Sequence, residues 1–242
     1  MNTRPIYSDR TVGELVTEDF RKAGVLREFG IDFCCGGKKS LNEACTKNNL
    51  DSEIVIKALE ELDNKPDVSN ENFSDWEPDE LVDYIVGTHH AYVRNKIPEI
   101  SAYSRKVARV HGQHHAETIK ISFIFDLLST ELNAHINKEE NILFPYIKYL
   151  AKTQQDGITP EKPFFGSVQN PVSMMEADHD EAGKEMAKIE SLSNGYTPPE
   201  DACPTFRILY KNLKTFQDDL HKHIHLENNI LFPMALELEK SS

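Results

Sequence analysis

An eleven-residue segment occurs twice in this chain. His135-Ile-Asn-Lys-Glu139-Glu-Asn-Ile-Leu-Phe-Pro145 returns as His223-Ile-His-Leu-Glu227-Asn-Asn-Ile-Leu-Phe-Pro233, 88 residues on (135 to 223), with eight of eleven positions identical. A repeat of this length predicts a duplicated helical unit. A histidine also stands 45 residues before His135, at His90, and 44 before His223, at His179. Each half therefore reads as a hairpin with one histidine on its first helix and His-x-x-x-Glu on its second.

Apolar residues at spacings of three and four support four long helices. The first begins at Pro78, a residue suited to a first helical turn, and its stripe is Val86, His90, Val93 and Ile97. The second carries Ile121, Phe125, Leu128, His135, Glu139 and Ile142. The third, expected to start at Asn170-Pro171, carries Val172, Met175, His179, Ala182 and Met186. The fourth, following Thr197-Pro-Pro-Glu200, carries Leu209, Leu213, Phe216, His223, Glu227 and Ile230. Each stripe holds a histidine where a large apolar side chain is expected. Pro145 and Pro233 are expected to kink or end their helices beyond the histidines.

Residues four apart on a helix sit one turn above each other, so the imidazole and carboxylate of His-x-x-x-Glu can reach one metal centre. Two such pairs with His90 and His179 provide four nitrogens and two carboxylates. If both carboxylates bridge, each of two metals receives two histidines and shares two glutamates. Mixed imidazole and carboxylate ligation suits iron better than magnesium or calcium, with manganese and zinc as alternatives. Two carboxylates buried with no cation would cost several kcal/mol each. Glu131 and Asp219 lie one turn before His135 and His223 and either accept a bond from an imidazole N–H, line a proton or ion path, or touch solvent at the stripe edge; Asp178, beside His179, is a weaker candidate for the same role. His221 and His225 are expected to face away from the site, His89 to lie off its stripe, and His111, His114 and His115 to be solvated in the first hairpin connection.

Ahead of these helices the elements are shorter. Thr11-x-x-Glu14 and Ser40-x-x-Glu43 are potential capping boxes, and Asp51 is the expected cap of a helix through Ile54, Ala58 and Leu62. The polar stretch 64–77 reads as a linker, giving a small helical domain at 1–63 and a bundle at 78–242. Cys34 and Cys35 stand in a glycine-flanked turn followed by Lys38 and Lys39, where positive charge and a following helix would favour thiolate. Such a pair serves soft metals, iron–sulfur species or redox exchange, or is structural; Cys45 and Cys203 read as ordinary thiols.

With 39% hydrophobic and 28% charged residues the chain supports a packed core, and a net charge of −13 argues against nucleic acid and anionic membrane surfaces as partners. The polar start, Met1 to Arg10, is not a secretory signal, no stretch is long enough to span a bilayer, and the four cysteines form no disulfide framework. A reducing cytoplasm is the expected location, with a monomer or homodimer as the assembly.

The combination of Asp32-Phe33-Cys34-Cys35-Gly36-Gly37, Glu176-Ala-Asp-His179-Asp-Glu-Ala-Gly183 and His223…Glu227-Asn-Asn-Ile-Leu-Phe-Pro resembles the iron–sulfur cluster repair di-iron proteins, the RIC or YtfE/ScdA-like family, over essentially the whole chain. The resemblance implies an all-α fold, a hemerythrin-like up-down four-helix bundle behind an ScdA-type N-terminal domain. It also implies two iron ions, oxo- and carboxylate-bridged, on His90, His135, Glu139, His179, His223 and Glu227, and places the family's cysteine pair on Cys34 and Cys35. The implied role is repair of iron–sulfur proteins damaged by oxidants or nitric oxide, by iron donation. Reduction of nitric oxide, and binding or sensing of oxygen or nitric oxide, are the alternatives. Oxygen-carrying hemerythrins resemble a five-histidine site with a second histidine one turn after the third-helix one; Gly183 stands there, so the two irons are expected to be nearly equivalent and labile, and oxygen transport loses ground.

Overall fold

The computed structural model describes residues 7–66 and 73–241. Among these, helices form the whole secondary framework apart from one isolated bridge, Thr11 to Ser40. Four short helices come first: α1 (Val12–Glu18), α2 (Lys22–Glu28), α3 (Leu41–Lys47) and α4 (Ser52–Asp63). Both expected capping boxes form, and Asp51 caps α4 through the Glu53 N–H. The bridging residues Thr11 and Ser40 are themselves the two N-caps, so the starts of α1 and α3 are tied together.

Four long helices follow: α5 (78–111), α6 (117–156), α7 (Gln169–Leu192) and α8 (204–240). The short connection 112–116 returns the chain antiparallel, and α5 packs on α6 and α8 while α7 packs on α6 and α8, closing an up-down ring. Pro78 is the first residue of α5, as expected. Two starts differ from expectation. α7 begins at Gln169, so Asn170 lies inside its first turn and turns its amide back to the Phe165 carbonyl. α8 begins at Pro204 with Cys203 as the cap, because 197–203 is used to cross between helices. Ile142 is largely exposed and not part of the inward stripe.

Three of the long helices are not α-helical throughout. Each contains one five-residue π segment: Val86–His90 in α5, Glu139–Leu143 in α6 and Glu227–Leu231 in α8. The last two stand just ahead of Pro145 and Pro233, and the helices continue past both prolines to Asp156 and Lys240. A proline has no N–H for the i−4 carbonyl and its ring crowds that carbonyl; the wider π turn absorbs both conflicts, so the helix neither ends nor needs a sharp kink.

Among the described residues the apolar interior has two main parts and a small third of Leu150, Ala151 and Leu238. One is built from Phe73, Leu81, Ile85, Phe144, Val172, Leu231 and Phe232 at one end of the bundle. The other runs from Phe125, Met186, Leu213 and Phe216 of the bundle without interruption into Leu15, Leu26, Phe33 and Leu41 of the short helices. The N-terminal elements are therefore packed on the bundle. Phe73, expected in a solvated linker, is buried beside Trp76 and Tyr84; residues 67–72 of that linker lie outside the described residues.

Candidate metal centre

Between the two apolar regions sits a polar layer. His90, His135, Glu139, His179, His223 and Glu227, one or two from each long helix, are all buried, the two carboxylates at 0% exposure. The imidazoles meet through their Nε2 atoms: His90 and His223 lie 3.1 Å apart, His135 and His179 3.0 Å. Each carboxylate divides its oxygens between these pairs. Glu139 presents Oε2 to His90 at 3.3 Å and Oε1 to His135 at 3.2 Å. Glu227 presents Oε1 to His223 at 2.9 Å and Oε2 to His179 at 3.1 Å. The result is two adjoining sets of two nitrogens and two oxygens with both carboxylates in common.

The rings are held from behind. His90 bonds through Nδ1 to Glu140 Oε1 (2.8 Å), a carboxylate also gripped by Arg94. His179 bonds through Nδ1 to Asn228 Oδ1 (2.9 Å), and His135 through Nδ1 to Asp178 Oδ2 (3.3 Å), which Lys138 also reaches. Glu140 and Asn228 occupy the same position of the repeat, one residue after the shared glutamate, and each secures the histidine from the first helix of its own half. Phe144 and Phe232, also equivalent, stack on the same rings, on His90 at 5.5 Å and on His179 at 6.0 Å. The repeat is thus a complete supporting unit: ligand candidate, acceptor, stacking ring and π turn.

These bonds test whether a cation fits. Where Nδ1 donates to an oxygen, Nε2 keeps its lone pair. His135 and His179 then aim two lone pairs at each other, and His90 aims a third at His223, all beside two carboxylates with buried oxygens lacking a hydrogen-bond donor, Oε1 and Oε2 of Glu139 and Oε2 of Glu227. Facing lone pairs at about 3 Å repel unless a proton or a metal lies between them. Without metal, protons must supply the positive charge. Burial opposes charge on His90, yet the neighbouring carboxylates of Glu139 and Glu227 push it up to about 10, and His135 rises to about 9 against burial through Glu139. Glu227, despite burial, is held well below the usual carboxylate range by His223, His179 and His90. A chemistry that demands cationic charge in a layer sealed from water is what a metal site requires.

The two halves are alike inside and unlike outside. One ring pair has a carboxylate behind His90 and no hydrogen-bond partner on His223 Nδ1. The other has a neutral amide behind His179 and Asp178 behind His135. A 230 Å³ cavity lined by Leu132, His135, Asp178, His179 and Ala182 opens beside the second pair. The expected near-equivalence of the two positions therefore stops at the directly converging atoms.

Other sequence expectations change. Asp219 does not serve His223; it accepts from His89 Nδ1 at 2.9 Å, and His89, buried, stacks face to face on His223. Both His89 and His90 are buried because they end a π segment, where the register of the helix shifts. Glu131 is exposed. His221 and His225 do face away from the centre, but into the N-terminal elements: His225 packs between Phe20 and Phe33 and bonds to Asn229, and His221 meets the edge of Phe33. In the first connection, His111 reaches Cys203 Sγ and His115 reaches Asp201 across to the 193–203 connection.

Cys34 and Cys35 lie above α7. Cys34 is buried, and hydrogen bonding to Cys35, burial and the negative charge nearby raise its thiol well above the ordinary range. Of the two lysines expected to favour thiolate, Lys38 is drawn to Glu176 at 2.5 Å and Lys39 borders the cavity that the two cysteines line. Asn228 and Asn229 of the second repeat hold this loop by the Phe33 and Cys34 carbonyls, at 3.2–3.4 Å. Gly13 and Gly37 leave the room the Asn229 side chain fills, since a Cβ on either would collide with it.

A four-helix bundle with a histidine turned inward from every helix and two carboxylates held in common is a hemerythrin-type cation-binding bundle, and residues 81–235 match the hemerythrin HHE cation-binding domain family. Residues 8–63 match ScdA_N, described as a domain of unknown function. The chain is 39% identical over 236 residues to the iron–sulfur cluster repair protein YtfE of Dickeya chrysanthemi, covering 96% of this chain and 99% of that one. It is 36% identical to YtfE of Escherichia coli O157:H7 over 233 residues (95% and 98%) and 36% to that of Cronobacter sakazakii over 237 (97% and 99%). The chain belongs to the YtfE family of iron–sulfur cluster repair proteins. No described helix is long and apolar enough to cross a membrane.

Proposed function

We propose that His90, His135, Glu139, His179, His223 and Glu227 hold two iron ions and that the protein repairs iron–sulfur clusters damaged by oxidative or nitrosative stress by giving up iron. The observation that carries this reading is the division of both carboxylates between two imidazole pairs, which leaves buried lone pairs and anionic oxygens facing one another. Imidazole with carboxylate favours iron over magnesium or calcium, and the names of the relatives point the same way. Bound there, iron would be redox-active and, lacking a thiolate cage, able to leave. The chain's part is to orient the rings through Glu140, Asp178 and Asn228, to keep water out with Phe144 and Phe232, and to offer a path at the 230 Å³ cavity. The N-terminal domain, 1–63, receives iron or meets the damaged client. All four cysteines are free, which suits a reducing cytoplasm.

The test is to load the full chain with labelled iron and incubate it anaerobically with a nitric-oxide-treated [4Fe–4S] hydro-lyase. Transfer of label into a restored cluster, lost in Glu139→Leu, supports the proposal; restoration of the client without transfer of label refutes donation. A second reading, reduction of nitric oxide to nitrous oxide, draws on the same cavity, whose Leu132 and Ala182 walls admit a small apolar molecule beside His135 and His179. Nitrous oxide formed over many turnovers would favour it.

A further inference from the structure

The turn Asp32–Gly36 has a geometry that the bundle centre does not explain. Asp32 folds it: Oδ1 accepts the N–H groups of Cys34 and Cys35, each at 3.0 Å, and Oδ2 accepts that of Gly36, also at 3.0 Å. Adjacent side chains on an extended strand point to opposite sides, but this clamp brings both thiols to one side, with Sγ atoms 3.9 Å apart. That distance is nearly twice the roughly 2.05 Å of a disulfide. It matches a different bond pattern: two sulfurs, each about 2.3 Å from one tetrahedral ion, stand about 3.8 Å apart. Asp32 Oδ1 lies 3.3 Å from Cys34 Sγ, close to the roughly 3.6 Å expected for sulfur and oxygen on the same ion.

The surroundings leave the pair approachable. A 560 Å³ cavity between the turn and α7 is bordered by Asp32, Cys34, Cys35, Gly183 and His221, and Cys35 is only half-buried. A Cβ at position 183 would stand 3.7 Å from Cys35 Sγ, an ordinary contact distance, so this part of α7 directly borders the thiol. Lys38 is paired with Glu176, and Lys39 borders the cavity on the same loop.

We propose that Cys34 and Cys35, with Asp32 as a neighbouring oxygen donor, form a second metal site, open on one side, for a thiophilic divalent cation. Binding exchanges two thiol protons for one ion: both S–H bonds break, two metal–sulfur bonds form, two protons leave to solvent, and no oxidation state changes. The remaining coordination is supplied from the cavity by water or an external thiolate, so the site holds an ion that a cysteine-bearing partner can take. Where the iron-donation reading holds, ferrous iron is that ion; the site itself stands apart from it. Asn228 links the two places, accepting from His179 with its oxygen and donating to the Cys34 carbonyl with its nitrogen.

The experiment uses the iron-loaded full chain titrated anaerobically with cobalt(II). One cobalt per chain with a near-ultraviolet sulfur-to-cobalt charge-transfer band and the visible bands of tetrahedral cobalt is expected, with bundle iron unchanged by elemental analysis. Each of Cys34→Ser and Cys35→Ser should weaken the sulfur band, and the double variant should remove it, with bundle iron kept in all three. Asp32→Asn, which keeps an oxygen for the turn, should weaken cobalt binding ~10-fold or more. A measurement needing no variant accompanies it: bound cobalt should protect Cys34 and Cys35, but not Cys203, from alkylation read by mass spectrometry. Absence of the sulfur band, a band undiminished in the single variants or surviving in the double variant, or cobalt taken up only as bundle iron is lost would overturn the site. Labelled iron still reaching the client after such a result would leave the donation reading standing, so the two claims fail separately.

Discussion

Replacing Glu140 with glutamine should loosen one metal position and spare the other. Glu140 takes the Nδ1 proton of His90 at 2.8 Å, and the matching residue of the second half, Asn228, does the same for His179 with a neutral amide. A carboxylate behind an imidazole raises its basicity, and loss of such a partner typically weakens metal binding 10–100-fold, about 1.4–2.8 kcal/mol. The same change also removes an ion pair with Arg94, but the two side chains are 39% and 23% exposed, so global stability should move by only about 0–1 kcal/mol. Release of iron to an excess of chelator, followed by absorbance, separates these effects. The wild type should lose iron in two phases, the faster from the His135–His179 pair beside the cavity. Glu140→Gln should accelerate the slower phase ~10-fold or more with an almost unchanged urea midpoint; Asn228→Asp should retard the faster one. A single phase in the wild type, or equal acceleration of both phases in Glu140→Gln, would refute the inequivalence drawn from Glu140 and Asn228.

Glu227→Leu removes one of the two carboxylates common to both positions and should bring iron below one ion per chain, measured by elemental analysis with circular dichroism confirming the helices. Phe232→Ala empties a fully buried site against His179 and should cost about 3–5 kcal/mol in chemical denaturation, with faster iron loss as well. Asn229→Ala deletes bonds to the Phe33 and Cys34 carbonyls in a half-buried setting and should cost about 1–3 kcal/mol, making the N-terminal segment the first site of limited proteolysis. Cys34 should be the slowest of the half-buried or loop thiols to react with iodoacetamide at neutral pH, because Cys35, burial and Asp32 all disfavour its thiolate; peptide mapping that found Cys34 alkylated before Cys35 would contradict this.

Much of this arrangement is legible in the residues. The duplicated His-x-x-x-Glu with two offset histidines selects the six side chains that meet in the polar layer, and the capping boxes at Thr11 and Ser40 form as written. The roles of the flanking residues are not legible from periodicity. A π turn changes which positions share a face, so a reading at 3.6 residues per turn leaves His89 off its stripe and does not single it out as the imidazole that Asp219 accepts from. The Phe-Pro end of the repeat carries a signal for both the stacking ring and the π turn, since a proline six residues after a buried glutamate cannot continue an ordinary helix without a conflict. Periodicity turns His221 and His225 from the centre, as found, but does not reveal what covers them: Phe20 and Phe33, from more than a hundred residues away in sequence. The thiol environment of Cys34 follows from its contact with Cys35, its burial against the bundle and the nearby Asp32, of which the burial is a tertiary fact.

The central claim is tested most directly by diffraction from iron-loaded crystals at energies on either side of the iron edge. The account predicts two anomalous peaks within the polar layer, one among His90, His223 and the two glutamates, the other among His135, His179 and the same glutamates. A single peak, or iron scattering located away from these six residues, would contradict it.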